Sequence, residues 1–147
     1  MASKKVVEIF TDGGYRASTN KGGWGVLLSY AGVKKTLKGA EFDTTNNRME
    51  LTAVIKALSA LKRHSDVNIT TDSQYVKLGI TVWINNWKKN NWRTSNKKPV
   101  KNLDLWLELD QLCQQHNVKF FWVKAHSGHV ENELVDNLAN QAMDELN

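Results

Sequence analysis

The period of the apolar pattern changes along this chain, and that change limits the folds open to it more than any other feature. Up to about residue 42 the apolar residues come in short β-branched and aromatic runs. Residues 6–10 lead into Thr11-Asp12-Gly13-Gly14 and read as a strand entering a turn, 24–30 follow a break at Gly22-Gly23, and 33–42 follow a turn at Ala31-Gly32. Three such runs joined by short connections predict an antiparallel meander. The spacing then becomes helical: Leu51, Val54, Ile55, Leu58 and Leu61 recur at three- and four-residue steps behind Thr44-Thr45-Asn46-Asn47, with Asn47 and Glu50 at capping-box spacing. A strand is expected at 67–71, and Ser73 is a plausible cap for a helix running to about residue 83 or beyond. A helix at about 103–115, a strand at 118–123 and a last helix at about 131–146 complete the order βββαβα(α)αβα. A meander followed by strand and helix alternation predicts an α/β fold, a mixed five-stranded sheet with helices on both faces.

At 147 residues and 41% hydrophobic content, one domain covering 1–147 is expected. The amino terminus enters strand-like sequence without an apolar leader, so a soluble, cytoplasmic protein with no membrane partner is expected. Cys113 is alone, which leaves no internal disulfide, and reads as a small buried thiol on a helix. The net charge of +5 is unevenly placed: residues 73–103 hold seven Lys and Arg and no Asp or Glu, which leaves the rest of the chain at −2. A local basic patch of this kind calls for a polyanionic partner docking at one place.

Acidic residues stand at the ends of the expected elements: Asp12 closing the first strand, Asp72 closing the fourth, Glu50 and Asp136 near helix starts. Taken singly, each has an ordinary explanation as a turn, cap or dipole residue. Together, at the strand ends of a sheet, they form the hard oxygen donor set that Mg²⁺ or Mn²⁺ demands. Four clustered carboxylates repel one another without a cation, and two cations turn them into a clamp for phosphodiester hydrolysis. His126 and His129 lie in a Gly-containing loop before the last helix, suited to proton transfer or simply exposed. The tract Trp83-Ile84-Asn85-Asn86-Trp87-Lys88-Lys89-Asn90-Asn91-Trp92-Arg93 alternates rings with cations. It reads as a nucleic-acid surface or as a solvated helix face with its rings in the core.

These residues resemble the bacterial type 1 ribonucleases H over nearly the whole chain. The resemblance rests on Ile9-Phe10-Thr11-Asp12-Gly13, on Thr44 through Leu51, on Thr71-Asp72-Ser73-Gln74-Tyr75-Val76, and on Trp122-Val123-Lys124 running into His126, Gly128-His129 and Glu131-Asn132-Glu133. It implies a ribonuclease H-like fold with a basic protrusion at about 83–101. It also implies an endonuclease that cuts the RNA strand of RNA/DNA hybrids with two metal ions, leaving 5′ phosphate and 3′ hydroxyl ends. Asp12, Glu50, Asp72 and Asp136 match the family's metal ligands, and His126 its catalytic histidine. Asn46, Asn47 and Gln74 match positions that touch the minor groove, where amides can read a 2′ hydroxyl. Thr45 and Arg48 match a DNA phosphate pocket, while Trp83, Trp87, Lys88, Lys89 and Lys98 match the basic protrusion and its channel. Sequence specificity is expected to be weak, because backbone contacts position a duplex without reading it.

Three departures stand out from the family pattern. Tyr15 through Lys21 replaces a Gly/Pro-rich loop and puts Ser18 where an Asn is common, Ala125 precedes His126 where Gly is usual, and Val130 replaces a common Pro. The chain also stops at Asn147, soon after the last expected helix. A non-catalytic hybrid-binding module and another nuclease or strand-transfer enzyme of the same fold are the rival readings. A domain of a reverse transcriptase is a third, against which the initiating Met and the length of the chain weigh. The expected protein is a free-standing monomer acting in primer removal and hybrid clearance.

Overall fold

A computed structural model of the chain describes residues 5–124 and 128–147. The meander is β1 (Val7–Arg16), β2 (Lys21–Tyr30) and β3 (Val33–Phe42). It is followed by α1 (Asn46–Ser59), β4 (Asp66–Thr71), α2 (Gln74–Leu78), α3 (Ile84–Lys89), α4 (Leu103–Gln115), β5 (Asn117–Trp122) and α5 (Val130–Glu145). Among the described residues the strands form one five-stranded sheet in the order β3-β2-β1-β4-β5. The β1–β2 and β2–β3 pairs are antiparallel, while β1–β4 and β4–β5 are parallel, so the sheet is mixed as expected.

The first hairpin differs from its sequence reading. The turn expected at residues 11–14 and the break expected at 22–23 both lie inside strands: β1 and β2 stay paired from Glu8↔Ser29 to Arg16↔Lys21. The reversal falls at residues 17–20, with Asn20 at φ 55°. Glycine within a strand often marks a close approach of other backbone, and that is its use here. A Cβ on Gly13 would run into the α1 backbone at Met49 and Glu50, and one on Gly25 would meet the Val135 carbonyl and the Leu138 Cβ of α5.

These contacts also establish the layers, since α1 and α5 cover opposite faces of the sheet. On one face Val7, Ile9, Val26 and Ile69 pack with Leu51, Val54, Ile55 and Leu58 of α1 and with Trp106 and Leu109 of α4. Each such side chain contributes roughly 1.5–3 kcal/mol by leaving water. On the other face α5 buries Val135, Ala139, Ala142 and Met143.

Side-chain capping sets the starts of α1, α2 and α5. The cap of α1 is Thr45 and not Asn47: its Oγ1 accepts from the Arg48 N–H at 3.1 Å, and the helix begins one residue later. Ser73 caps α2 as expected, accepting from the Val76 N–H at 3.1 Å. The single helix expected from residue 73 is interrupted by a π-helical turn, Gly79–Trp83, and then continues as α3 to Lys89. Gly79 lies against the Trp106 ring where no Cβ fits. Beyond α3 the chain folds back on itself, the Thr94 N–H donating to Lys98 O at 2.8 Å and the Val100 N–H to Trp92 O at 3.2 Å. Pro99 sits in this loop, as a residue without an N–H should. Cys113 is half-buried, and burial pushes its thiol up to about 12. No helix among the described residues is long and apolar enough to cross a membrane.

Candidate active site

The register of two neighbouring strands brings the first two carboxylates together. The parallel ladder between β1 and β4 ends at Thr11↔Thr71, both buried, so Asp12 and Asp72 are the next residues out of adjacent strands at the same level. Two bonds hold the exit from β4: the Ser73 N–H donates to Thr71 Oγ1 at 3.0 Å, and Trp122 Nε1 donates to the Asp72 carbonyl at 3.1 Å. Asp12 is therefore not a turn residue; it is held inside the β1–β2 pairing opposite Gly25.

The helices supply the other two carboxylates, one from each face. Because Gly13 has no side chain, α1 comes close enough to set Glu50 beside Asp12 and Asp72, and ligand oxygens of these three lie within 4.8 Å of one another. From the other face α5 brings Asp136 against Asp12, and the contact and charge of Asp136 both help to push the Asp12 carboxyl up. All four line one cavity of about 500 Å³.

The electrostatics follow from this crowding. Asp12 and Glu50 are each only 6% exposed. Burial, with the charge of Asp72 and the contact with Asp136 adding to it, pushes the Asp12 carboxyl up to about 9. Burial and then the charges of Asp12 and Asp72 hold the Glu50 carboxyl well above the usual carboxylate range. Oxygen donors this close, holding protons that a cation would displace, fit a divalent metal ion.

Other expected site residues fall into two groups. Asn46, Asn47 and Gln74 line the same cavity as the carboxylates. Thr45 and Arg48 lie at the start of α1, and Arg48 makes two bonds to Asp104, at 3.0 and 2.8 Å. In the basic segment the rings are partly buried and packed edge-on or tilted against one another: Trp83 lies 5.7 Å from Tyr75, and Trp87 lies 5.9 Å from Trp83, 6.2 Å from Trp92 and 5.2 Å from Trp106. The core reading of these tryptophans thus accounts for much of their burial. The segment is also not free of acidic partners, since Lys88 pairs with Asp110 of α4 at 2.7 Å; Lys89, Arg93 and Lys98 are exposed. His126 and Ala125 lie outside the described residues. His129 caps α5, its Nδ1 accepting from the Asn132 N–H at 3.2 Å.

Among the cavity residues that the sequence reading did not assign to the site are Arg16 and Asn140. Arg16 depends on β1 continuing past Asp12 through Gly13-Gly14, a pair that reads locally as a turn, whereas Asn140 lies one helical turn after Asp136 on α5 and that spacing was the signal for it. Ser18 lies in the exposed reversal at residues 17–20.

Fold and site together define an α/β enzyme whose centre is a cluster of hard oxygen donors at the ends of parallel strands, suited to divalent cations and phosphodiester chemistry. The RNase H family model matches residues 4–144. A ribonuclease H of Hydrogenovibrio crunogenus is 68% identical over 140 residues, covering 95% of this chain and 97% of that protein. A ribonuclease H of Nitrosococcus oceani is 56% identical over 139 residues, covering 95% of each. Among solved structures, LC9-RNase H1, a type 1 RNase H with the type 2 active-site motif, superposes with a TM-score of 0.85 at 34% identity, covering 98% of this chain and 74% of that one. The chain belongs to the RNase H family. It is a divalent-metal-dependent endoribonuclease of the kind that cleaves RNA in RNA/DNA hybrids.

Proposed function

We propose that Asp12, Glu50, Asp72 and Asp136 together hold two divalent cations, Mg²⁺ with Mn²⁺ as a substitute, and that the chain hydrolyses the RNA strand to 5′ phosphate and 3′ hydroxyl ends. The observation that carries this reading is the meeting of four carboxylates, two from neighbouring strand ends and one from a helix on each face, in one cavity, with Asp12 and Glu50 pushed by burial and by their neighbours' charge above the usual carboxylate range. Bound there, the cations supply an activated water and neutralise charge on the leaving oxygen. Asp12, buried beside the other three, would serve both ions, with Glu50 and Asp72 completing the donor set of one and Asp136 that of the other. His126, which precedes α5, assists proton transfer or product departure.

Asn46, Asn47 and Gln74 offer amide groups beside the carboxylates, where a 2′ hydroxyl separates RNA from DNA. Thr45 and Arg48 take a DNA phosphate at the start of α1; Arg48 reaches it by leaving Asp104, a pairing whose acid is 66% exposed and therefore weak. Residues 83–101 act as a basic protrusion on a single catalytic domain covering 1–147. There Trp83 and Trp87 stiffen the surface and Lys88, Lys89 and Lys98 face the DNA strand. The working form is a cytoplasmic monomer without a membrane partner, engaged in primer removal and hybrid clearance with little sequence preference.

Calorimetric titration with Mg²⁺ and end-group analysis of the cleaved RNA test this scheme. Retention of full activity after Asp136→Asn, or 3′ phosphate ends, would overturn it.

A further inference from the structure

The four-carboxylate cavity faces a polyanionic substrate, yet among the described residues that line it a single cation is present, Arg16. We infer that Arg16 is a substrate-positioning residue that takes a backbone phosphate of the RNA strand next to the cleaved bond, on the Asp136 side of the cavity. The inference rests on the hybrid-cleaving reading above and adds a subsite to it.

Arg16 is the last residue of β1, paired across the sheet with Lys21 just before the reversal. The reversal is braced by the Tyr15 hydroxyl, which donates to Asn20 Oδ1 at 2.7 Å, so Arg16 hangs from a fixed strand and not from a loose loop. Its guanidinium lies along α5, one helical turn beyond Asp136. Nη2 donates to Asn140 Oδ1 at 3.0 Å, and the Asn140 amide in turn donates to the Asp136 carbonyl at 3.0 Å. Asn140 thus ties the guanidinium to the stretch of helix that delivers Asp136.

The remaining partner of Arg16 is Asp144, at 2.7 Å. That pair is solvent-facing, with side chains 35% and 66% exposed, and an exposed pair of this kind contributes little. A phosphate can therefore replace Asp144 at small cost while Asn140 keeps the guanidinium in place. The planar fork of Arg suits two phosphate oxygens at once, which a Lys ammonium cannot match.

The test compares Arg16→Ala, Arg16→Lys and Asp144→Asn. KM and kcat for hybrid cleavage in Mg²⁺, hybrid binding in Ca²⁺ across a salt series, and Tm are measured for each. The expected result for Arg16→Ala is a KM raised roughly tenfold, as for loss of a hydrogen bond to a charged group, with kcat within about twofold. Its salt slope should fall by roughly 0.7–0.9, the amount for one phosphate neutralised. Arg16→Lys restores the slope but only part of the KM, and Asp144→Asn leaves KM unchanged or lowers it. If Arg16→Ala and Asp144→Asn shift Tm alike while KM and salt slope stay at the parent values, Arg16 is only a clasp between β1 and α5 and the inference fails. The binding arm reads Arg16 without cleavage, so failure of the parent protein to cut hybrid would count against the catalytic reading alone.

Discussion

Asp12 sits buried beside Asp72 and Asp136, and without a cation its carboxyl keeps a proton up to about pH 9. The ordinary value is 3.8, so between 3.8 and about 9 the folded protein binds a proton that the unfolded chain has released. Stability from this group is fully present below 3.8 and is lost as pH rises toward about 9. Asp12→Asn cannot ionise and escapes that loss. In metal-free protein it should therefore raise stability by about 1–3 kcal/mol under mildly alkaline conditions, the cost range of an uncompensated buried polar group, and by much less in acid. Thermal unfolding of both proteins in chelator across pH checks this. A gain that does not depend on pH would mean that Asp12 is not the strained acid described here.

At the scale of elements, the site depends on how closely two helices approach the sheet. Gly25 faces α5 directly opposite Asp12 in the β1–β2 register, and a Cβ there would press on the Val135 carbonyl, next to Asp136. Gly25→Ala should cost about 1–3 kcal/mol by overpacking, and it should also lower kcat by displacing Asp136. Tm and steady-state rates measured together test this; lost stability with unchanged kcat would separate α5 position from catalysis. The same close approaches explain what could be read in advance. The apolar period of α1, the Ser73 cap and the strand/helix order are local signals and were legible, as were the four carboxylates once their motifs were matched. The extension of β1 through Gly13 and Gly14 was not legible, because the close approaches that its glycines and those of its partner β2 permit are to α1 and α5, distant in sequence. Arg16 was hidden for that reason. The Lys88 pair with Asp110 was hidden too, since its partner lies on α4, outside the acid-free segment.

Over the whole molecule, the proposed function divides the work between an acidic cavity, which would hold cations, and a basic segment, which would hold a polyanion. Hybrid affinity should therefore fall steeply with salt. Replacing Lys89 and Lys98 together by Ala should reduce the slope by about 0.9 for each phosphate no longer neutralised, with kcat unchanged, whereas Lys88→Ala should do less because Asp110 already holds that ammonium. Binding anisotropy across a salt series gives the slopes, and equal effects from all three lysines would show that the Asp110 pair does not persist. The central claim, that the clustered carboxylates make a metal-dependent enzyme selective for RNA paired with DNA, is tested most directly with end-labelled substrates. Parent protein and Asp12→Asn are incubated with RNA/DNA hybrid, RNA duplex and DNA duplex, each with Mg²⁺ and with chelator. The predicted result is cutting of the RNA strand of the hybrid alone, abolished by chelator and by Asp12→Asn. Cleavage that persists in chelator or in Asp12→Asn, or a folded parent protein that binds hybrid with Mg²⁺ or Mn²⁺ and leaves it intact, would contradict it.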